Sequence, residues 1–243
     1  MPPDLVMISA LDAHLFAVAV TRGLSGLIVH PHNRANPPRP ELPLELYEFE
    51  GCPFCRKVRD GMSELDLAYI ARSAAKGAET KRGAAVALGG KAQFPLLRDP
   101  NTDTTLYESE AILDYLWSTY GPGRSTLARA AAPLNLASSA IASAIRPRGA
   151  RVRPGLERRE QPEHRLSLYQ FEASPYCRKV REVLCELNLD CLILNVAKKS
   201  ARRPELVALG GKMQVPFLVD PNTDTTLYES DDIVAYLEKT YGA

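Results

Sequence analysis

An α/β chain built from two tandem copies of one β-α-β-α-β-β-α unit, with additional helices before each copy, is predicted by two observations. The first is an internal repeat. Leu44–Gly121 aligns with Leu166–Gly242, and about half of the aligned positions are identical. LELYEFEGCPFCRKVRDGMSELDL answers LSLYQFEASPYCRKVREVLCELNL. After one gap, VALGGKAQFPLLRDPNTDTTLYES answers VALGGKMQVPFLVDPNTDTTLYES, and the match runs on to the final Tyr-Gly of each copy. Chance does not give this, so the unit is duplicated. The second observation is the order of hydrophobic periods within each copy, which alternates between strand-like and helical spacing.

The elements follow in order. Residues 4–28 read as an apolar helix and a turn, and 29–43 as a linker rich in Pro, His, Asn and Arg. Leu44–Phe49 and Leu166–Phe171 alternate apolar with polar, as a short strand does. A proline-containing turn leads into helices over about 53–65 and 175–187, where Val180, Val183, Leu184 and Leu187 keep helical spacing. Short strands follow at Ala68–Arg72 and Cys191–Val196, then a variable segment with a helix. GGK precedes strands at Pro95–Arg98 and Pro216–Asp220. DPNTDTT is turn chemistry, so it joins those strands to TLYES as hairpins. The last helix of each copy begins at Ser109 or Ser230, a serine placed to cap it, and stops at glycine. Residues 125–146 are Ala-rich and helical. The domain division is therefore 1–43 leader and linker, 44–122 module 1, 123–165 helix and Arg/Pro linker, and 166–243 module 2.

Composition excludes several classes. Apolar residues are 45% of the chain and charged residues 24%, as in ordinary globular proteins. Thirty Lys and Arg against 29 Asp and Glu leave a net charge of +1, which gives no general argument for a nucleic-acid partner. Seven arginines between 146 and 165 are a local exception, read as a solvated linker in preference to an anion-binding face. Leu5–Val20 is short for a membrane span and contains Asp12 and His14. It is also a poor secretory signal. Five cysteines, with only Cys52 and Cys55 closely spaced, do not form a disulfide framework. A reducing, cytoplasmic compartment is expected.

Cys52 falls where a strand-to-helix turn enters a helix. Helix N–H groups and the dipole favour a thiolate there. Arg56 and Lys57 add nearby positive charge, so its pKa is expected below the free value of about 8.5. Thiol–disulfide exchange needs such a thiolate, a second thiol within reach and access to solvent. Metal or iron–sulfur ligation and inert thiols are the other readings. Zinc wants four ligands, and no second CxxC or paired-His motif exists. In the second copy Ser174 replaces the first cysteine, so module 2 cannot run a dithiol cycle alone. Cys177, Cys185 and Cys191 fall on expected buried faces.

CPFC at 52–55, QFP at 93–95 and YES at 107–109, answered by SPYC at 174–177, QVP at 214–216 and YES at 228–230, resemble the thioredoxin superfamily. The likeness is greatest to glutaredoxins and to the N-terminal domain of glutathione S-transferases. The resemblance implies two thioredoxin-fold, glutaredoxin-like modules. It implies Cys52 as attacking nucleophile and Cys55 as buried resolving thiol. Pro95 and Pro216 would be cis, presenting the backbone of Phe94 and Val215 to a peptide. Glu108–Ser109 and Glu229–Ser230 would meet the γ-glutamyl end of glutathione, and Lys91 and Lys212 its glycyl carboxylate. Ser174 resembles the serine that some transferases use to activate the glutathione thiol; loss of catalysis in the second copy is the preferred alternative. The expected partners are glutathione and a disulfide or glutathionylated protein, without a resident metal, a nucleic acid or a membrane span. The expected activity is glutathione- or thioredoxin-coupled thiol–disulfide exchange. A non-catalytic glutathione- or peptide-binding or redox-sensing module is the first alternative, and glutathione-assisted iron–sulfur ligation a weaker one. Transferase conjugation is disfavoured, because each copy is followed by a linker or the chain end instead of the family's helical domain.

Overall fold

The computed structural model describes residues 25–242, so the apolar stretch before Ser25 lies outside the described residues. A one-turn helix, α1 (Pro31–Ala35), precedes module 1. The module runs β1 (Leu44–Glu48), α2 (Pro53–Glu64), β2 (Ala68–Ser73), α3 (Glu79–Gly89), β3 (Leu96–Asp99), β4 (Thr104–Tyr107) and α4 (Ser109–Tyr120). Two helices follow, α5 (Thr126–Ala130) and α6 (Ala132–Ile145). The expected single Ala-rich helix is thus broken at Ala131, just before the proline at 133 that opens α6. Module 2 repeats the order as β5 (Leu166–Gln170), α7 (Pro175–Glu186), β6 (Cys191–Asn195), α8 (Arg203–Gly210), β7 (Phe217–Asp220), β8 (Thr225–Leu227) and α9 (Ser230–Tyr241).

The strands join in one eight-stranded sheet, ordered β4-β3-β1-β2-β6-β5-β7-β8. Within each module the two inner strands are parallel and the hairpin antiparallel, β1 with β2 and β5 with β6 being the parallel pairs. The modules meet edge to edge through antiparallel β2 and β6, with Ile70 opposite Leu192 at the centre of a pseudo-two-fold. Each strand would otherwise present unpaired backbone as an exposed edge. One apolar core crosses the junction, including Leu46, Val58 and Tyr69 from module 1 and Leu168, Val180 and Ile193 from module 2.

Charges line the same junction. Arg59 is fully buried and donates to Glu172 (Nε–Oε2 3.0 Å, Nη2–Oε1 3.2 Å) and to Glu48. Its repeat equivalent Arg181 donates to Glu50 (Nε–Oε2 2.9 Å) and to Gln170. Each arginine thus crosses to the other module's acid. Burial alone would push Glu50 up, but Arg181 and Arg59 hold it well below the usual carboxylate range. Buried ion pairs add little net stability over apolar replacements, yet losing one partner strands a charge.

The segments between elements act as straps. Leu27 and Val29 exchange hydrogen bonds with Lys198 of module 2 (2.8 and 2.9 Å), while His30 N–H donates to Glu64 of module 1 (2.8 Å). Ala150 and Val152 do the reverse. They pair with Lys76 of module 1 (both 2.9 Å), and Arg153 N–H donates to Glu186 of module 2 (2.9 Å). The expected solvated Arg/Pro linker is therefore corrected. Arg146 is buried against Glu182 (2.7 Å), and Arg148 is bound to Glu186 (2.7 Å). Arg153 is bound to Glu186 and Glu238. Only a few of the run, Arg158 among them, stand in solvent.

Candidate functional site

Cys52 is the N-cap of α2, in extended backbone (φ −82°, ψ 120°), with Pro53 in the first helical turn. Proline fits there because its missing N–H would have no intrahelical partner. The Cys52 sulfur accepts the Cys55 N–H at 3.3 Å. The hydrogen bond from the Cys55 thiol lowers the Cys52 pKa most. Burial opposes it, and the backbone N–H groups of Cys55 and Phe54 and the Arg59 charge add to the lowering. Burial first, then the neighbouring Cys52 sulfur, push the Cys55 thiol well up. The pair thus holds one sulfur inclined to ionise, as an attacking thiol must, and one inclined to keep its proton.

Two expectations about this thiol are corrected. Arg56 and Lys57 are not the cations that favour its ionised form. Arg56 is buried beside Glu50 (3.7 Å) and Lys57 is paired with Glu110, so Arg59 takes that role. Nor is the thiol open to solvent: Cys52 is 3% exposed. Helix α6 packs on α2, and Ser139 Oγ donates to the Pro53 carbonyl (2.7 Å). Ala150 of the strap lies against Gly51, where a Cβ would come within 2.8 Å of the Ala150 Cβ.

The other expected residues lie on the proline loops and at the starts of α4 and α9. The Phe94–Pro95 and Val215–Pro216 bonds are both cis. The Phe94 ring meets Phe49 edge-on at 6.4 Å, which brings the proline loop beside the turn leading to Cys52. Gln93 Nε2 donates to Glu108, and Gln214 Nε2 to Glu229. Glu108 and Glu229 take left-handed backbone (φ 64° and 61°), and they, not Ser109 and Ser230, occupy the N-cap positions. Ser109 and Ser230 are the first helical residues and are buried. The turn rotates each serine one position into the helix, so its side chain is not the cap expected from composition. Lys91 and Lys212 lay their ammonium groups over Tyr107 and Tyr228, 4.7 and 4.6 Å from the ring centroids.

Module 2 keeps this geometry with oxygen in place of sulfur. Ser174 caps α7 at φ −76°, ψ 119°, and its Oγ accepts the Cys177 N–H at 3.2 Å. Burial raises the Cys177 pKa. Cys185 and Cys191 are buried as expected. Among the described residues no cluster of His, Cys, Asp or Glu is arranged to hold a metal, and no helix is long and apolar enough to cross a membrane.

The model of the glutathione S-transferase N-terminal domain matches residues 46–125 and again 168–243. Two curated relatives are the glutathione S-transferase-like protein tpcF of Aspergillus fumigatus, 36% identical over 70 residues, and gedE of Aspergillus terreus, 34% identical over 70 residues. Each alignment covers 29% of this chain and 31% of the relative, so the chain spans under a third of their length. Among solved structures, Leishmania TDR1, a trimeric glutathione transferase, is 15% identical with a TM-score of 0.31. That match covers 82% of this chain and 67% of TDR1. The two matched segments take in most of the chain, each holding one α/β module, and the protein belongs to the glutathione S-transferase N-terminal domain family, with that domain present twice.

Proposed function

We propose that the protein is a glutathione-coupled thiol–disulfide oxidoreductase working through Cys52 and Cys55, with module 2 a degenerate copy. The observation that carries this reading is the asymmetric pair at the start of α2: Cys52 lowered and capped by N–H groups, Cys55 raised and buried one turn on. The Cys52 thiolate attacks a disulfide or a glutathionylated thiol, forming a mixed disulfide and releasing one thiolate. Cys55 gives up its proton and attacks the Cys52 sulfur, which closes the Cys52–Cys55 disulfide and releases the second thiolate. Two glutathione thiols then reduce that disulfide and leave as glutathione disulfide. In this reading the cis-proline loop holds glutathione through the Phe94 backbone, and Glu108 and Ser109 receive its γ-glutamyl end. Because Cys52 is covered, α6 moves away from Pro53 during each turnover.

The burial of Cys52 and the serine at 174 favour a second reading, a glutathione-binding or redox-sensing protein without rapid turnover. One assay separates the two. Reduction of a glutathionylated peptide by glutathione is expected for the wild type and absent for Cys52→Ser. An unchanged rate in Cys52→Ser rejects the dithiol mechanism. Saturable glutathione binding with no turnover in the wild type selects the sensor.

A further inference from the structure

Between α2, α4 and the α5–α6 segment lies a cavity of about 340 Å³. Neither Cys52 nor any residue of the proline loop lines it. We propose that this cavity binds a small planar aromatic carboxylate, with Trp117 and Leu113 flanking the ring and Arg124 receiving the carboxylate.

In module 2 charged side chains occupy the equivalent position. His30 and Arg153 are equivalent, since each donates its N–H to the carbonyl of an equivalent glutamate, Glu64 or Glu186. The repeat also pairs Gly61 with Val183 and Trp117 with Glu238. In module 2 the charged set closes on itself: Arg153 binds Glu238 and Glu186, and Arg148 binds Glu186 at 2.7 Å. In module 1 an edge-on His30–Trp117 pair, 5.2 Å between centroids, stands in its place. Gly61 lets α4 approach, because a Cβ there would meet the Leu113 side chain at 2.5 Å. Ala128 and Ala131 complete an apolar wall.

The polar groups give the ligand its class. The Arg124 side chain is only 6% exposed. Its Nη1 is held by Glu110 (2.7 Å) and Asp114 (3.2 Å), while Nε and Nη2 have no partner among the described residues. That free edge is the two-donor fork that matches a carboxylate. The Trp117 indole N–H likewise donates to nothing among the described residues, and it lies 3.6 Å from where a Gly61 Cβ would stand. Glu64 also lines the cavity, but its carboxylate already accepts the Gly26 N–H at 3.1 Å. The volume falls within the range of small-molecule sites, roughly 300–1,000 Å³.

Trp117 is the chain's single tryptophan, so its indole N–H gives one identifiable NMR cross-peak. Isotope-labelled protein is titrated with 2-naphthoate and, separately, with uncharged 2-naphthamide. The expected result is a saturable shift of that peak by the carboxylate, with the amide weaker by at least about tenfold. Arg124→Gln is expected to weaken 2-naphthoate by at least about the same factor. Ala128→Phe, which fills the cavity from an exposed helix, is expected to abolish the shift if Arg124→Gln does not fold. Saturating glutathione is expected to leave the affinity unchanged, so failure here is distinguishable from failure of the dithiol mechanism. An indole peak that stays still at millimolar 2-naphthoate overturns the proposal. So does equal affinity for the amide, unaltered affinity in the folded variants, or displacement by glutathione.

Discussion

Cys52 and Ser174 cap equivalent helices with nearly the same backbone angles, and each accepts the N–H of the cysteine three residues on. The turn, the following proline, the cis-proline loop and the Gln–Glu contact are also kept in both modules. What differs is the atom at the cap, and with it the ability to form a disulfide. Helix capping and sheet packing are enough to hold this architecture without sulfur chemistry. The same helices diverge again on another face, where module 1 keeps a cavity and module 2 closes an ion-pair cluster. The two modules therefore share the turn, the cis-proline loop and the crossed arginines, and differ at the capping atom and on this second face.

The largest effect is expected from making module 1 resemble module 2. Cys52→Ser is expected to reduce disulfide exchange to the uncatalysed level while leaving circular dichroism unchanged, since serine serves as a cap in module 2. The reverse change, Ser174→Cys, is expected to add a second intramolecular disulfide, to Cys177, detectable as the loss of two further alkylatable thiols after mild oxidation. If the introduced thiol stays reduced, the two turns differ in more than one atom.

Cutting the junction tests what the modules share. Arg59→Met leaves Glu48 buried without its cation and Glu172 with Arg181 alone (3.0 Å), and is expected to lower unfolding free energy by about 3–5 kcal/mol in urea melts. Replacing Arg59 and Glu48 together by apolar residues is expected to recover part of that loss.

The pH dependence should separate the modules more gently. The Cys52 thiol ionises in the folded chain at a pH where the unfolded chain, near pKa 8.5, still holds the proton. Its contribution to stability is complete above about pH 8.5 and is lost as pH falls through the lower, folded pKa. Wild type is thus expected to gain on Cys52→Ser as pH rises through that window, read from urea midpoints. Raised Cys55 acts in the opposite sense only above about pH 8.5. The smallest effect is expected for Arg153→Ala in the partly exposed module 2 cluster, about 1 kcal/mol or less.

Much of this is legible in the sequence because it is local. Strand alternation places β1 and β5 to within a residue. Helical spacing and the capping position place α2 and α7, and the repeat makes each module a check on the other. The thiol pair and both cis-prolines lie in short motifs. Sequence reasoning fails where partners are distant along the chain. Arg59 reaches Glu172 across 113 positions and Arg181 reaches Glu50 across 131, so no local window contains either pair. A signal does exist: CRKVR recurs in both copies, setting an arginine beside the apolar stripe each time. The linker arginines read as solvated because composition does not reveal that Glu182, Glu186 and Glu238 lie under them. The cover over Cys52 escapes for the same reason, since a helix starting some 80 residues later supplies it.

On the proposed mechanism Cys52 and Cys55 form one dithiol couple that Cys177, Cys185 and Cys191 do not share. Equilibrating the protein in glutathione buffers of graded potential, trapping free thiols and mapping the label by mass reads out that couple alone. One two-electron transition confined to Cys52 and Cys55 is predicted, with Cys177, Cys185 and Cys191 reduced throughout. Thiols at 52 and 55 that remain reduced across the whole series, or that oxidise only to separate glutathione adducts, would rule out the dithiol couple.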